Sequence, residues 1–324
     1  MNIVQRLGVT VRALLAAIPA LAVSQDAAAQ KWPEKPVRIV TPFAPGGGTD
    51  VFARAIAAKF TEAWGQQVIA DNRAGGNGNI GADVVAKALP DGYTLLLTTN
   101  ATIVINPHLS KLPYDPVRDF APISQVATLP FVHPTLPVKS VPELIALAKA
   151  KPGALNFGSS GGGGGAHLGG EMMKTTAHIE MTHVPYKGAA PALVALLSNE
   201  VQLMFVSILT ATPLIEGNRV RAIAVSGLKR SPAYPNVPAV AETLSGFETD
   251  LWYGILAPAK TNPRIVDKLY RETKRVLFLP EFRSRFEPTG TQMAGTTPAE
   301  FAQAIKKDLA KWAEVIKVSG AKLD

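Results

Sequence analysis

The stretch TPFAPGGGTDVFAR, residues 41–54, decides how the rest of the chain is read. It carries an apolar, β-branched run (Val37 to Phe43) through proline and three glycines into Thr49, Asp50 and helical spacing. A strand that ends in bare backbone and restarts as a helix leaves unpaired N–H groups at the helix N-terminus. The helix dipole adds positive potential there, and glycine allows close approach to the backbone, so such a turn is an anion cradle. The same grammar recurs from Asp71 to Gly81 and from Phe157 to Gly165.

Working outward, apolar runs appear at Val37–Phe43, Gln67–Asp71, Tyr93–Asn100, Ile123–His133, Leu155–Ser159, Met181–Val184, Val201–Val206, Val220–Ser226 and Leu251–Pro258. Helical spacing lies between most of them, at Asp50–Trp64, Ile80–Leu89, Val141–Lys149, Ala166–Thr175, Ala189–Leu197 and Leu209–Glu216. Alternation of this kind predicts an α/β fold of mainly parallel sheets covered by helices. Two amphipathic helices in succession, Pro263–Leu279 and Thr297–Val318, close the chain, the second opened by TTPAE with Pro298 at its start. Proline-punctuated stretches at 129–144 and 229–254 read as surface connections bounding a middle lobe.

At 324 residues the chain is long enough for two lobes. Residues 1–29 have the basic, apolar and small-residue regions of an export signal, with cleavage expected near Ala29 and a periplasmic destination. Loss of Arg6, Arg12 and Asp26 with that leader lowers the net charge from +8 to +7. The chain has no cysteine, so disulfides and thiolate metal sites are excluded. Basic residues are scattered without a dense aromatic-interleaved stripe, which excludes nucleic acid as a partner. His108, His133, His167, His178 and His183 show no metal-ligand spacing, so neither metal nor cofactor is expected.

Three stretches approach enzyme motifs. PGGGTD lacks the lysine of a P-loop. GNGNIG (76–81) matches a dinucleotide turn, but the following strand ends at Thr99-Asn100 without the acid that would hold a ribose. GSSGG (158–162) matches a nucleophile elbow and leaves a serine esterase using Ser160 as the alternative, although no histidine follows His183.

Taken in order, TPFAPGGGTD, NRAGGNGNIGA, LPYDPVRDFAPIS, HVPYKGAAPAL, and PNVPAVAE followed by WYGILAP resemble the periplasmic substrate-binding receptors of tripartite tricarboxylate transporters, often called the Bug family. The resemblance covers nearly all of the chain beyond the leader. It implies a two-lobed Venus flytrap, with lobe 1 at 31–128 plus 252–324 and lobe 2 at 129–251, acting as a monomeric receptor that is not an enzyme. It also implies a small carboxylate held in the cleft by strand-to-helix turns and handed to membrane permease subunits; a ligand-sensing receptor for a signalling partner would share the same cleft. The site residues it implies are Phe43, Ala44, Gly46, Gly47, Gly48, Thr49 and Asp50 on the first turn and Gly76, Asn77 and Gly78 on the second. Thr99 and Asn100 follow the next strand, and Ser159, Ser160, Gly162, Gly163 and His167 face them from lobe 2.

Overall fold

The computed structural model describes residues 32–319 apart from 130, 135–137, 162–163 and 250. The leader and its cleavage point near Ala29 lie outside the described residues.

Among the described residues, twelve strands form three sheets. The largest orders its strands β12-β4-β11-β3-β1-β2, where β1 is Val37–Thr41, β2 Val68–Asn72, β3 Thr94–Thr99, β4 Phe120–Leu129, β11 Leu251–Pro258 and β12 Gln292–Met293. β1 pairs in parallel with β2 and β3, whereas β11 runs antiparallel to both β3 and β4. Burial on both faces explains why β1 and β3 read as continuous apolar runs instead of alternating ones.

The other two sheets belong to the second lobe. One is parallel, with order β7-β6-β8 (β6 Asn156–Ser159, β7 Thr182–Pro185, β8 Leu203–Met204). The other is antiparallel, with order β10-β5-β9 (β5 Phe131–Pro134, β9 Val206–Ser207, β10 Ala222–Val225). The fold is thus two-lobed α/β, with parallel pairing at the strands that carry the glycine turns and antiparallel pairing elsewhere.

Two runs that read as single strands are divided. Ile123–His133 becomes β4 and β5, because its first part pairs in the large sheet and its last part in the small antiparallel one. Val201–Val206 breaks at Phe205, since β8 joins β6 while β9 joins β5. Neither proline-rich stretch is wholly a surface connection, because β5 lies within 129–144 and the start of β11 within 229–254.

Helices form where apolar residues recur at three and four. In α1 (Gly48–Trp64), Phe52, Ile56 and Phe60 are buried, and Phe52 stacks on Phe286 with ring centroids 4.3 Å apart. α2 is Asn79–Ala86, α3 Val141–Ala150, α4 Gly165–Ala177, α5 Ala189–Leu197 and α6 Ile208–Glu216. α7 (Pro263–Leu277) buries Ile265, Leu269 and Val276, and is followed by a separate short helix, α8 (Pro280–Phe286), that Pro280 starts. α9 (Pro298–Ser319) opens with a reciprocal capping box: the Glu300 N–H donates to Thr297 Oγ1 at 3.2 Å and the Thr297 N–H to Glu300 Oε2 at 2.8 Å.

α9 also ties the lobes together. Phe301, Ile305, Trp312 and Ile316 form a buried stripe that includes Trp252 of β11 and Leu168 of α4. Trp252 Nε1 donates to Asp308 Oδ2 at 2.7 Å, and Lys311 Nζ lies 3.1 Å from Glu248 Oε2.

Candidate ligand-binding site

The first turn is locked from behind. The Gly46 N–H donates to Asp50 Oδ2 at 3.0 Å, Arg54 Nε donates to the same oxygen at 3.1 Å, and Arg54 Nη2 lies 3.0 Å from Oδ1. Arg54 Nη2 continues to Asn72 Oδ1 at 3.1 Å, and Asn72 Nδ2 donates to Thr41 Oγ1 and to the Phe43 carbonyl. Burial alone would raise the Asp50 pKa, but the hydrogen bonds from Arg54 and Gly46 outweigh it and hold the carboxyl below its ordinary value. The Asp50 carboxylate is therefore committed to bracing the turn. Gly47 caps α1 with extended backbone (φ −79°, ψ 168°) and offers no side-chain cap. At Gly48 a Cβ would stand 1.9 Å from the Tyr253 hydroxyl, so only glycine lets β11 approach the helix start.

A network of amides shapes the second turn. Asn77 takes a left-handed conformation (φ 54°, ψ 37°), and its Nδ2 donates to Asn106 Oδ1 at 2.7 Å. Asn106 Nδ2 returns to the Asn77 carbonyl at 3.0 Å and to Asn79 Oδ1 at 2.7 Å. The Tyr114 hydroxyl reaches Asn79 Oδ1 and the Thr102 carbonyl, both at 2.9 Å; burial, reinforced by the Asp83 charge, pushes its pKa up.

Lobe 2 answers with two turns. Gly164 caps α4 with almost the geometry of Gly47 (φ −75°, ψ 166°), and Gly188 caps α5; neither helix start has a side-chain cap. Behind the first of these turns Ser159 is buried, its Oγ 2.7 Å from His183 Nε2 and donating to the Gly161 carbonyl at 2.9 Å. His183 in turn stacks on His167 with ring centroids 3.8 Å apart. The lobes meet across the gap: a Cβ on Gly188 would lie 3.3 Å from Ala44 Cβ, and one on Gly161 (φ +148°) 2.7 Å from Asn77 Oδ1.

These turns enclose a cavity with about 640 Å³ of empty volume, the open space at its mouth included. Of the residues expected from sequence, Phe43, Ala44, Gly47, Gly48, Thr49, Asn77, Thr99 and Ser160 line it. Gly46, Asp50, Gly76, Gly78, Asn100, Ser159 and His167 are set back from its wall: Asp50 braces with Gly46 behind the first turn, Gly76 and Gly78 form the frame that presents Asn77, and Ser159 lies beneath the wall with the histidine stack. Gly162 and Gly163 lie outside the described residues. The wall also includes Ala101, Gly164, Gly165, Ala166, Gly188, Ala189, Met204, Phe205, Val206, Thr210 and Tyr253. Gly188 was detectable, because HVPYKGAAP repeats the strand–glycine–helix grammar of the other turns. Tyr253 and Thr210 left no such signal.

Among the described lining residues there is no Asp, Glu, Lys, Arg or His. His183, on the neighbouring strand β7, engages buried Ser159, the serine before Ser160 on the glycine elbow. No group of three His, Asp or Glu among the described residues is placed to hold a metal, and no described helix is long and apolar enough to cross a membrane.

The profile described as "Tripartite tricarboxylate transporter family receptor" matches residues 52–321. The chain belongs to that family. Protein BugT of Bordetella pertussis is 34% identical over 307 residues, covering 93% of this chain and 94% of the relative. The solved structure "R. palustris Rpa4515 with adipate" superposes with a TM-score of 0.88 at 35% identity, covering 90% of this chain and 100% of that one. MatC (Rpa3494) from Rhodopseudomonas palustris, with bound malate, gives a TM-score of 0.84 at 30% identity, covering 88% and 100%. Receptors of this tripartite tricarboxylate transporter family are periplasmic solute-binding proteins and not enzymes.

Proposed function

We propose that this receptor captures a small carboxylate in the inter-lobe cavity, using backbone N–H groups of its glycine turns, and delivers it to the permease of a tripartite transporter. The observation that carries the reading is the convergence of three helix N-termini, those of α1, α4 and α5, on one cavity, each started by glycine without a side-chain cap. First-turn N–H groups have no partner inside the helix, and each dipole adds positive potential, so the wall attracts an anion without a basic side chain. The adipate and malate seen in the two similar structures are acids of this kind.

Magnitudes suffice. Hydrogen bonds to a charged group contribute about 1.5–3 kcal/mol each, so three or four supply most of the ~8 kcal/mol behind micromolar affinity. Because α1 belongs to one lobe and α4 and α5 to the other, an acid bridging them binds the closed arrangement better and enriches it. We place lobe 1 at 31–128 plus 252–324 and lobe 2 at 129–251, with a leader removed near Ala29 on export to the periplasm. Calorimetric titration of the leaderless chain with mono-, di- and tricarboxylates tests the reading: micromolar binding of at least one acid is expected, and heat-silent titrations throughout refute it.

A further inference from the structure

One polar group on the cavity wall is not used by the carboxylate grip. Thr210 stands in the first turn of α6 and lines the cavity from lobe 2. Its hydroxyl oxygen is buried and has no hydrogen-bond partner among the described residues. The contrast with Thr212 in the same helix is direct: that hydroxyl donates back to the Ile208 carbonyl at 2.8 Å and meets the Tyr234 hydroxyl at 3.0 Å. The hydroxyls of Ser110, Ser231, Thr249 and Thr273 are buried and unpaired among the described residues too, but of these five Thr210 alone lines the cavity, where a bound group can pair with it and relieve the cost.

We propose that Thr210 is a specificity residue whose hydroxyl donates to a second oxygen function on the ligand, beyond the carboxylate held by the glycine turns. The inference rests on the carboxylate reading above and narrows it. An ammonium at this point would face three positive helix ends with no acidic side chain among the described lining residues. The Asp50 carboxylate, set back behind the first turn, is engaged by Gly46 and Arg54. The ligand class is therefore an amine-free acid bearing a further hydroxyl, carbonyl or carboxylate oxygen, and amino acids of the same length are rejected.

The test is calorimetry on the leaderless chain, Thr210→Val and Thr210→Ser with matched acids of four and six carbons. The probes are butanoate and hexanoate, their terminal hydroxy forms, succinate and adipate, and 4-aminobutanoate and 6-aminohexanoate. The parent chain is expected to bind an acid with a second oxygen function at least about tenfold tighter than its single-carboxylate counterpart, and to ignore the ammonium forms. Thr210→Val, which keeps shape and removes the donor, should bring that ratio close to one, and Thr210→Ser should keep it. The proposal is overturned if Thr210→Val preserves the ratio, if it weakens every acid equally, or if an ammonium form binds best. Binding without any preference removes this inference alone; no binding of any acid overturns the carboxylate reading and this one with it.

Discussion

Gly47 and Gly48 are adjacent, both on the cavity wall, and answer to different physics. A Cβ at Gly47 would find only the Ala44 carbonyl oxygen, at 3.8 Å, and its extended backbone suits a β-branched residue; Gly48 is sealed by the Tyr253 hydroxyl. Gly47→Val should consequently keep the fold and weaken acid binding at least about tenfold by screening the N–H groups, whereas Gly48→Ala should destabilise the fold by about 1–3 kcal/mol through overpacking. Thermal denaturation run beside calorimetry separates the two. Lys187, which is exposed and absent from the wall, should tolerate Lys187→Ala with affinity unchanged. Asp50 gives a pH prediction. Its folded carboxyl titrates below the ordinary 3.8, so its stabilisation is complete above that pH and is lost as pH falls through the lower, folded value. Asp50→Asn should cost about 1–2 kcal/mol at neutral pH, with the gap to the parent chain closing only below about pH 4 in denaturant titrations.

Among the elements, the turn after β2 depends most on long-range bonding. Asn106 closes it by accepting from Asn77 and donating to Asn79 across 27 to 29 residues of sequence. Asn106→Ala strands those amides, so a loss of about 1–3 kcal/mol in stability is expected, together with weaker acid binding as Asn77 loses its orientation; denaturation and calorimetry check both. This network marks where sequence reading ended. The turns themselves were legible, because strand periodicity, glycine and helical spacing are local, and the starts of α1, α4 and α5 fall within two residues of expectation. What Asp50 does was not: an Asp after glycines more commonly caps the helix and can also face a ligand, and only Arg54 and Gly46, brought round by folding, decide that it braces the turn. Ser159 and Ser160 show the same limit, since adjacent serines on one elbow are sorted by His183 from another strand.

For the whole molecule, the divided strands explain what remained hidden. β4 and β5 come from one apolar run, yet they serve different sheets, because partner choice is set by β11 and β9, which lie far away in sequence. Tyr253 and Thr210 reach the cavity through the same long-range assembly, β11 returning beside β3 and α6 following β9. α9 joins the lobes behind the cavity, where Leu168 of α4 inserts among its buried aromatic and aliphatic residues. Leu168→Ala should lower global stability by about 2–5 kcal/mol through the void it leaves, while the helix start that faces the acid keeps its donors; equilibrium unfolding gives the value.

The central claim is that backbone amides from both lobes hold the acid. Amide NMR of the leaderless chain titrated with adipate addresses it most directly. The account predicts that the N–H resonances of Gly47, Gly48, Thr49, Gly165, Ala166 and Ala189 move downfield together and saturate at one affinity. Saturable binding of adipate that leaves these six resonances in place would contradict it.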